Sequence, residues 1–306
     1  VNGSRITGWG SALPEKRVTN ADFAEYLETS DEWIAERTGI RERRFGGTTG
    51  ELAIEAGRNA LQTAGLGGED IGIVILATST PDQVMPPTSA YVQDALGIAG
   101  GAMDINVACS GFVYALAAAH GLLATGVKNA LVIGADTLSK ITDQQDRTTA
   151  VLFGDGAGAV VLQNASDDRL LASDIGSDGS TRGILSCAHN GTIEMTGKEV
   201  YRQAVLICVD SIRKTCEQAD IEPSAIKLFV AHQANIRIIN AVMERLGIDS
   251  DKAAVVLDRT GNTSAASIPL ALDDAARAGR IAADDTVLLC GFGAGMTWAT
   301  QIWKWK

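Results

Sequence analysis

The sequence predicts an α/β protein made of two related halves, with mixed sheets covered by helices. Three observations carry this. Apolar runs of strand length alternate with helical segments of ten or more residues, the pattern of parallel or mixed sheets with helices on their faces. Within each half the spacing repeats: Cys109 follows the polar end of "IGIVILATST" at nearly the distance at which Asn262 follows His232 of "IKLFVAHQAN". Each half then closes on apolar runs around a glycine turn, "VLFGDGAGAVVL" and "VLLCGFGAGMTWATQI". The halves are expected at 1–165 and 166–306, with the seam in the polar stretch "QNASDDR" at 163–169.

Seven helices are expected, over 20–37, 51–64, 87–96, 110–124, 198–219, 235–246 and 263–278. Asn20 and Asn235 suit N-caps, and Gly65, Gly126, Gly247 and Gly279 suit helix exits. The run "GDGAGA" at 154–159 nearly satisfies a dinucleotide-binding fingerprint, but that fingerprint needs a helix after the glycines. Val160, Val161 and Leu162 follow instead, so a tight strand-to-strand turn is expected.

With 306 residues, 46% of them hydrophobic, the chain can bury a large core. A net charge of −11 without Lys/Arg clusters argues against nucleic-acid binding. The longest nearly uncharged stretch, 112–127, contains His120 and is shorter than the ~20 residues that cross a bilayer, so it reads as a buried helix. No secretory pattern opens the sequence, and a cytoplasmic protein is expected. Cys109, Cys187, Cys208, Cys216 and Cys290 lack C-x-x-C spacing, which predicts free thiols and no metal site.

Cys109 stands between the strand-like "MDINVA" and the apolar helix beginning near Ser110. Unpaired N–H groups and the dipole of a helix start favour a thiolate, and a helix buried all round would hold the sulfur fixed. An isolated buried cysteine can equally be a small core residue. His232 ends an apolar strand and Asn262 precedes a helix, where it could serve as a simple N-cap. If the halves superpose, the three converge: one attacking sulfur and two neutral donors able to hold a developing oxyanion. His120 is expected packed in its helix and His189 in a loop.

At these residues the sequence resembles the thiolase-fold condensing enzymes, and among them the β-ketoacyl-acyl-carrier-protein synthase III family. The matching pieces are "TSDEWIAERTGIRERR", "NVACSGF", "FGDGAGA", "MTGKEVY", "AHQANIRI", "GNTSAAS" and "GFGAGMTW", in family order over nearly the whole chain. The resemblance implies a five-layered αβαβα thiolase-like fold, a homodimer, and catalysis by Cys109, His232 and Asn262 without metal or cofactor. Acyl-CoA would acylate Cys109, with backbone N–H groups of Cys109 and Ala294 as the oxyanion hole. Malonyl-acyl-carrier protein would then lose carbon dioxide, His232 and Asn262 stabilising the enolate that condenses with the acyl group, to initiate fatty acid synthesis. For CoA it implies Trp33 and Arg147 flanking adenine, Arg37 and Thr29 at the nucleotide end, and Gly197, Ala234 and Asn235 along the pantetheine. Phe292 and Met85, the latter reaching in from the partner subunit, would wall the acyl pocket. Arg202, Arg237 and Arg245 would form a local basic patch for the acidic carrier protein.

Three departures stand out. Ala294 replaces a frequent glycine, Met85 leaves chain-length preference open, and the segment 186–197 is short for the family. Cys290 falls one residue from the place of the second thiolase cysteine, which on a strand points it to the opposite face, so it is read as core. The alternatives are a specialised homologue that primes polyketide synthesis or transfers its acyl group to another acceptor, and a non-catalytic partner subunit. The retained Cys109, His232 and Asn262 speak against the last.

Overall fold

A computed structural model of the chain describes residues 3–306. In chain order the first half comprises β1 (Gly3–Ala12), β2 (Arg17–Thr19), α1 (Asn20–Ala24), α2 (Asp31–Thr38), β3 (Glu42–Arg44), α3 (Thr49–Ala64), β4 (Ile73–Ala77), α4 (Thr88–Ala95), β5 (Gly101–Ile105), α5 (Gly111–Ala124), β6 (Asn129–Thr137), α6 (Arg147–Ala150) and β7 (Asp155–Ala165). The second comprises β8 (Leu170–Ser177), β9 (Leu185–Cys187), β10 (Ile193–Met195), α7 (Gly197–Ala219), β11 (Leu228–Ala231), α8 (Ile236–Leu246), α9 (Leu257–Thr260), α10 (Ser267–Arg277), β12 (Thr286–Gly293) and β13 (Thr297–Lys304).

Two mixed sheets form the frame. The first has the order β1-β7-β6-β4-β5, with β4 parallel to both β5 and β6 and with β7 antiparallel to its neighbours. Read from the corresponding edge, the second runs β8-β13-β12-β11, with β11 parallel to β12. An isolated parallel bridge, Phe229 to Ala253, stands where its fifth strand would be. Helices α3 and α4 cover the outer face of the first sheet, α7 and α8 serve the second, and α5 and α10 lie between the sheets. This is the five-layered αβαβα arrangement of the thiolase-like fold, built twice.

The sequence of α5 explains its central place. Phe112, Val113, Ala115, Leu116, Ala119 and Leu123 are wholly buried. A helix apolar on most faces is stable only when sheets cover it on both sides. Tight outer packing is equally written in the residues: a Cβ at Gly10 of β1 would stand 2.4 Å from the backbone nitrogen of Ala60 in α3. No helix among the described residues is long and apolar enough to cross a membrane.

Several expectations are corrected. The helix expected over 20–37 is two, because Ser30 turns extended and its hydroxyl caps α2 at Trp33 N–H, 3.2 Å away. Thr19, not Asn20, caps α1 through a capping box with Asp22. Asn20 is buried and instead bonds Asp31, Ile40 and the wholly buried Arg43. The glycines of "GDGAGA" do not form a turn: Gly156 and Gly158 lie within β7. A Cβ at Gly158 would meet Pro269 at 2.7 Å, so glycine is what lets α10 lie on the strand. The short segment 186–197 closes as a hairpin, with β9 and β10 paired from Cys187↔Ile193 to Leu185↔Met195.

Candidate active site

Two copies of one backbone turn build the site. After β5, the Asn106 side-chain oxygen accepts the N–H of Ala108 at 3.2 Å, and Ala108 adopts a φ of +47°. A 3-10 turn, Ala108–Ser110, then carries Cys109 into α5. In the second half the Asn262 oxygen accepts the N–H of Ser264 at 2.9 Å, Ser264 has a φ of +51°, and a 3-10 turn leads into α10. Left-handed backbone at a non-glycine residue is costly, so the asparagine bond that satisfies its N–H helps hold it there. Strand β12 lies directly against the cysteine turn: a Cβ at Gly293 would stand 2.7 Å from the Cys109 nitrogen.

Asn262 is fixed on both backbone sides, its N–H donating to Leu152 O (2.8 Å) and its carbonyl accepting from Gly154 (2.9 Å). Because its side-chain oxygen serves the turn, its NH₂ group is left as the donor. His232 follows β11, its N–H donating to Cys290 O at 2.8 Å. Its Nδ1 lies 2.7 Å from the Ser267 hydroxyl, and its ring meets Phe292 edge-on with centroids 5.1 Å apart.

Burial sets the charge states. It holds the His232 imidazole down at about 3, so the ring is neutral throughout the working pH range. It pushes the Cys109 thiol up to about 12; a hydrogen bond from the Ser264 hydroxyl works the other way and the Asp136 carboxylate reinforces the rise. Desolvation thus opposes the thiolate that a helix start favours. Asp136, wholly buried, is likewise raised by burial, against lowering by donors from Ser79, Ser264, Ala265 and Thr80. Through the N–H of Ser79 (2.7 Å) and of Ala265 (3.2 Å) it ties the loop after β4 to the turn before α10, joining the two halves.

One cavity of about 210 Å³ collects these groups. Cys109, His232, Asn262, Ser264, Phe292 and Ala294 line it, as do Gly197, Ala234 and Asn235. Its apolar wall comes from Leu138, Ile141, Leu152, Phe153, Leu185, Ile193, Met195, Val200 and Ile238. The β9–β10 hairpin, Asp136 and Ser267 were not singled out from sequence. Both serines of the second turn sit inside the "GNTSAAS" piece, a signal that only the fold makes readable.

Other expected residues lie elsewhere. Arg37 and Arg147 both approach the Trp33 ring, at 4.7 and 5.1 Å from its centroid, and Arg147 donates to Glu28 O at 2.8 Å. The Thr29 hydroxyl nearby has no hydrogen-bond partner among the described residues. Asn235 caps α8 through Arg237 N–H (2.9 Å) and donates to Arg37 O (2.9 Å), linking this cluster to the cavity. Met85, 79% exposed in the loop between β4 and α4, does not line the cavity of its own chain. Arg202, Arg237 and Arg245 are exposed; Arg202 pairs with Glu199 (3.7 Å) and Arg237 lies over Tyr201, itself a cavity residue.

Comparison with known proteins agrees with this frame. Residues 103–179 match the family model of 3-oxoacyl-[acyl-carrier-protein] synthase III, and residues 216–305 match the model of its C-terminal part. The chain is 48% identical to the β-ketoacyl-[acyl-carrier-protein] synthase III of Erythrobacter litoralis, over 97% of this chain and 98% of that protein. It superposes on the crystal structure of 3-oxoacyl-[acyl-carrier-protein] synthase III from Aquifex aeolicus with a TM-score of 0.97 at 42% identity, covering 99% of this chain and all of that one. The priming β-ketosynthase of the R1128 polyketide pathway superposes with a TM-score of 0.96 at 33% identity, over 99% of this chain and 96% of that one. The chain belongs to the β-ketoacyl-[acyl-carrier-protein] synthase III family.

Proposed function

We propose that this chain is a β-ketoacyl-acyl-carrier-protein synthase III, an acyltransferase that joins an acyl group from acyl-CoA to malonyl-acyl-carrier protein in the first condensation of fatty acid synthesis. The observation that carries the reading is the convergence of Cys109, His232 and Asn262 on one largely apolar cavity. In the first step the Cys109 sulfur attacks the thioester carbonyl, whose oxygen is held by the N–H groups of Cys109 and Ala294. The bond to the CoA sulfur breaks and the thiol proton ends on CoA, so a resting thiol suffices and no base is consumed. In the second step the malonyl carbon–carbon bond breaks and carbon dioxide leaves. The electron pair passes to the thioester oxygen, held by donors from His232 and Asn262. The resulting carbon attacks the acyl carbonyl, and the Cys109 sulfur departs and takes up a proton from solvent. Neutral donors suit this step, because decarboxylation forms the carbanion without removing a proton. The electron and atom balance needs no metal or cofactor.

Trp33 is the proposed stacking surface for adenine, with Arg147, Arg37 and Thr29 around the nucleotide and Gly197, Ala234 and Asn235 along the pantetheine. Arg237, Arg245 and Arg202 are the proposed docking points for the carrier protein. The reading includes a cytoplasmic homodimer, in which Met85 of each subunit closes the other's acyl pocket together with Phe292. Exposure of Val84 and Met85 side by side, at 88% and 79%, supports it. Incubation with acetyl-, branched and medium-chain acyl-CoA, followed by intact-mass measurement, tests the first step: one acyl mass should appear and vanish in Cys109→Ala. His232→Ala should keep that mass yet form no β-ketoacyl product from malonyl-carrier protein. If no donor gives a product extended by two carbons while Cys109 still acylates, transfer to another acceptor replaces this reading.

A further inference from the structure

This inference deepens the proposed condensing role of His232 and rests on it. Of the two ring nitrogens of a neutral histidine, only the one carrying hydrogen can donate to an enolate oxygen. Nδ1 of His232 lies 2.7 Å from Ser267 Oγ. The same oxygen lies 3.3 Å from the backbone nitrogen of Gln233, a group that can only donate. Ser267 and Gln233 are fully buried and His232 is 2% exposed, so each hydrogen here needs a partner from the protein. Among the described residues, Nδ1 is the acceptor within hydrogen-bonding distance of the Ser267 hydroxyl.

Two arrangements compete. If Nδ1 carried the hydrogen, both it and Gln233 N–H would point at Oγ, and the hydroxyl hydrogen would be left buried without an acceptor. If Nδ1 is bare, Gln233 donates to Oγ, the hydroxyl donates to Nδ1, and every group is satisfied. The His232 backbone is tied to Cys290, and its buried ring packs T-shaped against Phe292. Ser267 is equally fixed, as the first residue of α10 after the 3-10 turn that Asn262 holds. We propose that Ser267 donates its hydroxyl hydrogen to Nδ1 and so locks His232 in the tautomer with hydrogen on Nε2, which makes Ser267 a positioning residue for the decarboxylating step. The Nε2–H on the opposite side of the ring is then the donor offered to the cavity that His232 lines.

Long-range ¹H–¹⁵N spectra of histidine-labelled protein read the tautomer directly. The chain has three histidines, and His232→Gln identifies the signal by its loss. The expected result is a bare Nδ1 and a protonated Nε2 at neutral pH; the reverse pattern overturns the proposal. Ser267→Ala should turn that signal into a mixture of tautomers and slow condensation of acetyl-CoA with malonyl-carrier protein by roughly 10- to 100-fold, by analogy with the loss of a partner that orients a metal-bound histidine. Its rate of Cys109 acylation should stay within about twofold, and Ser267→Thr, which keeps the hydroxyl, should recover condensation. Equal loss of acylation and condensation in Ser267→Ala, or no loss of either, overturns the positioning role. Should that variant fail to fold, the wild-type spectrum decides alone. Condensation surviving in His232→Ala would instead sink the reading beneath, a result the spectrum cannot produce.

Discussion

Replacing Gly293 by alanine should disable the nucleophile without altering any side chain of the proposed chemistry. The new Cβ would stand 2.7 Å from the Cys109 nitrogen, 3.1 Å from Ala108 Cβ and 3.2 Å from the Ser110 nitrogen. Ordinary contacts begin near 3.4 Å, so β12 or the cysteine turn must give by about 0.7 Å, and two of the three obstacles are backbone. The backbone conformation at Gly293 is one alanine can adopt, which leaves sterics as the cause. Overpacking of this kind costs about 1–3 kcal/mol. For a chain of this size that lowers Tm by roughly 2–5 °C. A displacement approaching 1 Å at the attacking sulfur costs about 100-fold in rate. Stopped-time intact-mass measurement with acetyl-CoA gives the acylation rate, and calorimetry gives Tm. Gly183→Ala, where the added Cβ meets nothing within 4 Å, is the control. Wild-type acylation and Tm in Gly293→Ala would refute the claim that β12 sets the position of Cys109.

Two further outcomes follow from the geometry. Trp33→Ala should raise KM for acyl-CoA by about 5- to 100-fold, the range for loss of one aromatic–base stack, and leave acylation by an N-acetylcysteamine thioester unchanged because that donor lacks the nucleotide; equal effects on both donors would dismiss the stacking role. Acid should destabilise the fold through His232: above about pH 6.5 the ring is neutral folded and unfolded, but below it the unfolded chain takes up a proton that the buried ring, held at about 3, refuses. That loss accumulates at up to about 1.4 kcal/mol per pH unit between pH 6.5 and 3. Urea titrations at pH 7 and pH 5 should therefore show a smaller drop in His232→Gln than in wild type, and parallel drops would refute the burial argument.

The layered fold was legible because its signals are strong and local. A helix apolar on most faces at 112–123 has nowhere to go but between sheets, and Gly247, in left-handed backbone at the end of α8, stops a helix where expected. That Cys109, His232 and Asn262 would line one cavity was legible through their positions in a repeated layout. What failed depended on contacts distant in sequence. Whether "GDGAGA" turns or continues as a strand is decided by α10 pressing on Gly158 from more than a hundred residues away. The break between α1 and α2 depends on Ser30 turning out of the helix, where a short hydroxyl competes with the helical backbone. The opposing pull on the Cys109 thiol was not legible, because a helix start is visible in sequence whereas the apolar wall that desolvates the sulfur is assembled from both halves.

The duplicated turn explains why the chemistry is divided between halves. In register, Asn106 corresponds to Asn262, Ala108 to Ser264, Cys109 to Ala265 and Gly111 to Ser267, and both turns use the asparagine oxygen for the same N–H. Both also use left-handed backbone at the same step. One copy therefore offers a sulfur and the other a carboxamide donor from what is nearly the same scaffold. The difference at the last position is informative. A Cβ at Gly111 would approach Ala77 to 3.1 Å and Ala265 to 3.7 Å, so the first copy is kept bare where the turns face each other. In the second copy the same position carries a hydroxyl, and it reaches His232. A symmetric frame thus gives two preorganised turns, and side-chain changes on them suffice to set the proposed nucleophile on one and the proposed carboxamide donor on the other, while the imidazole comes from the end of β11. Asp136, bonding the loop after β4 with one oxygen and the turn before α10 with the other, keeps the two turns in fixed relation across that divide.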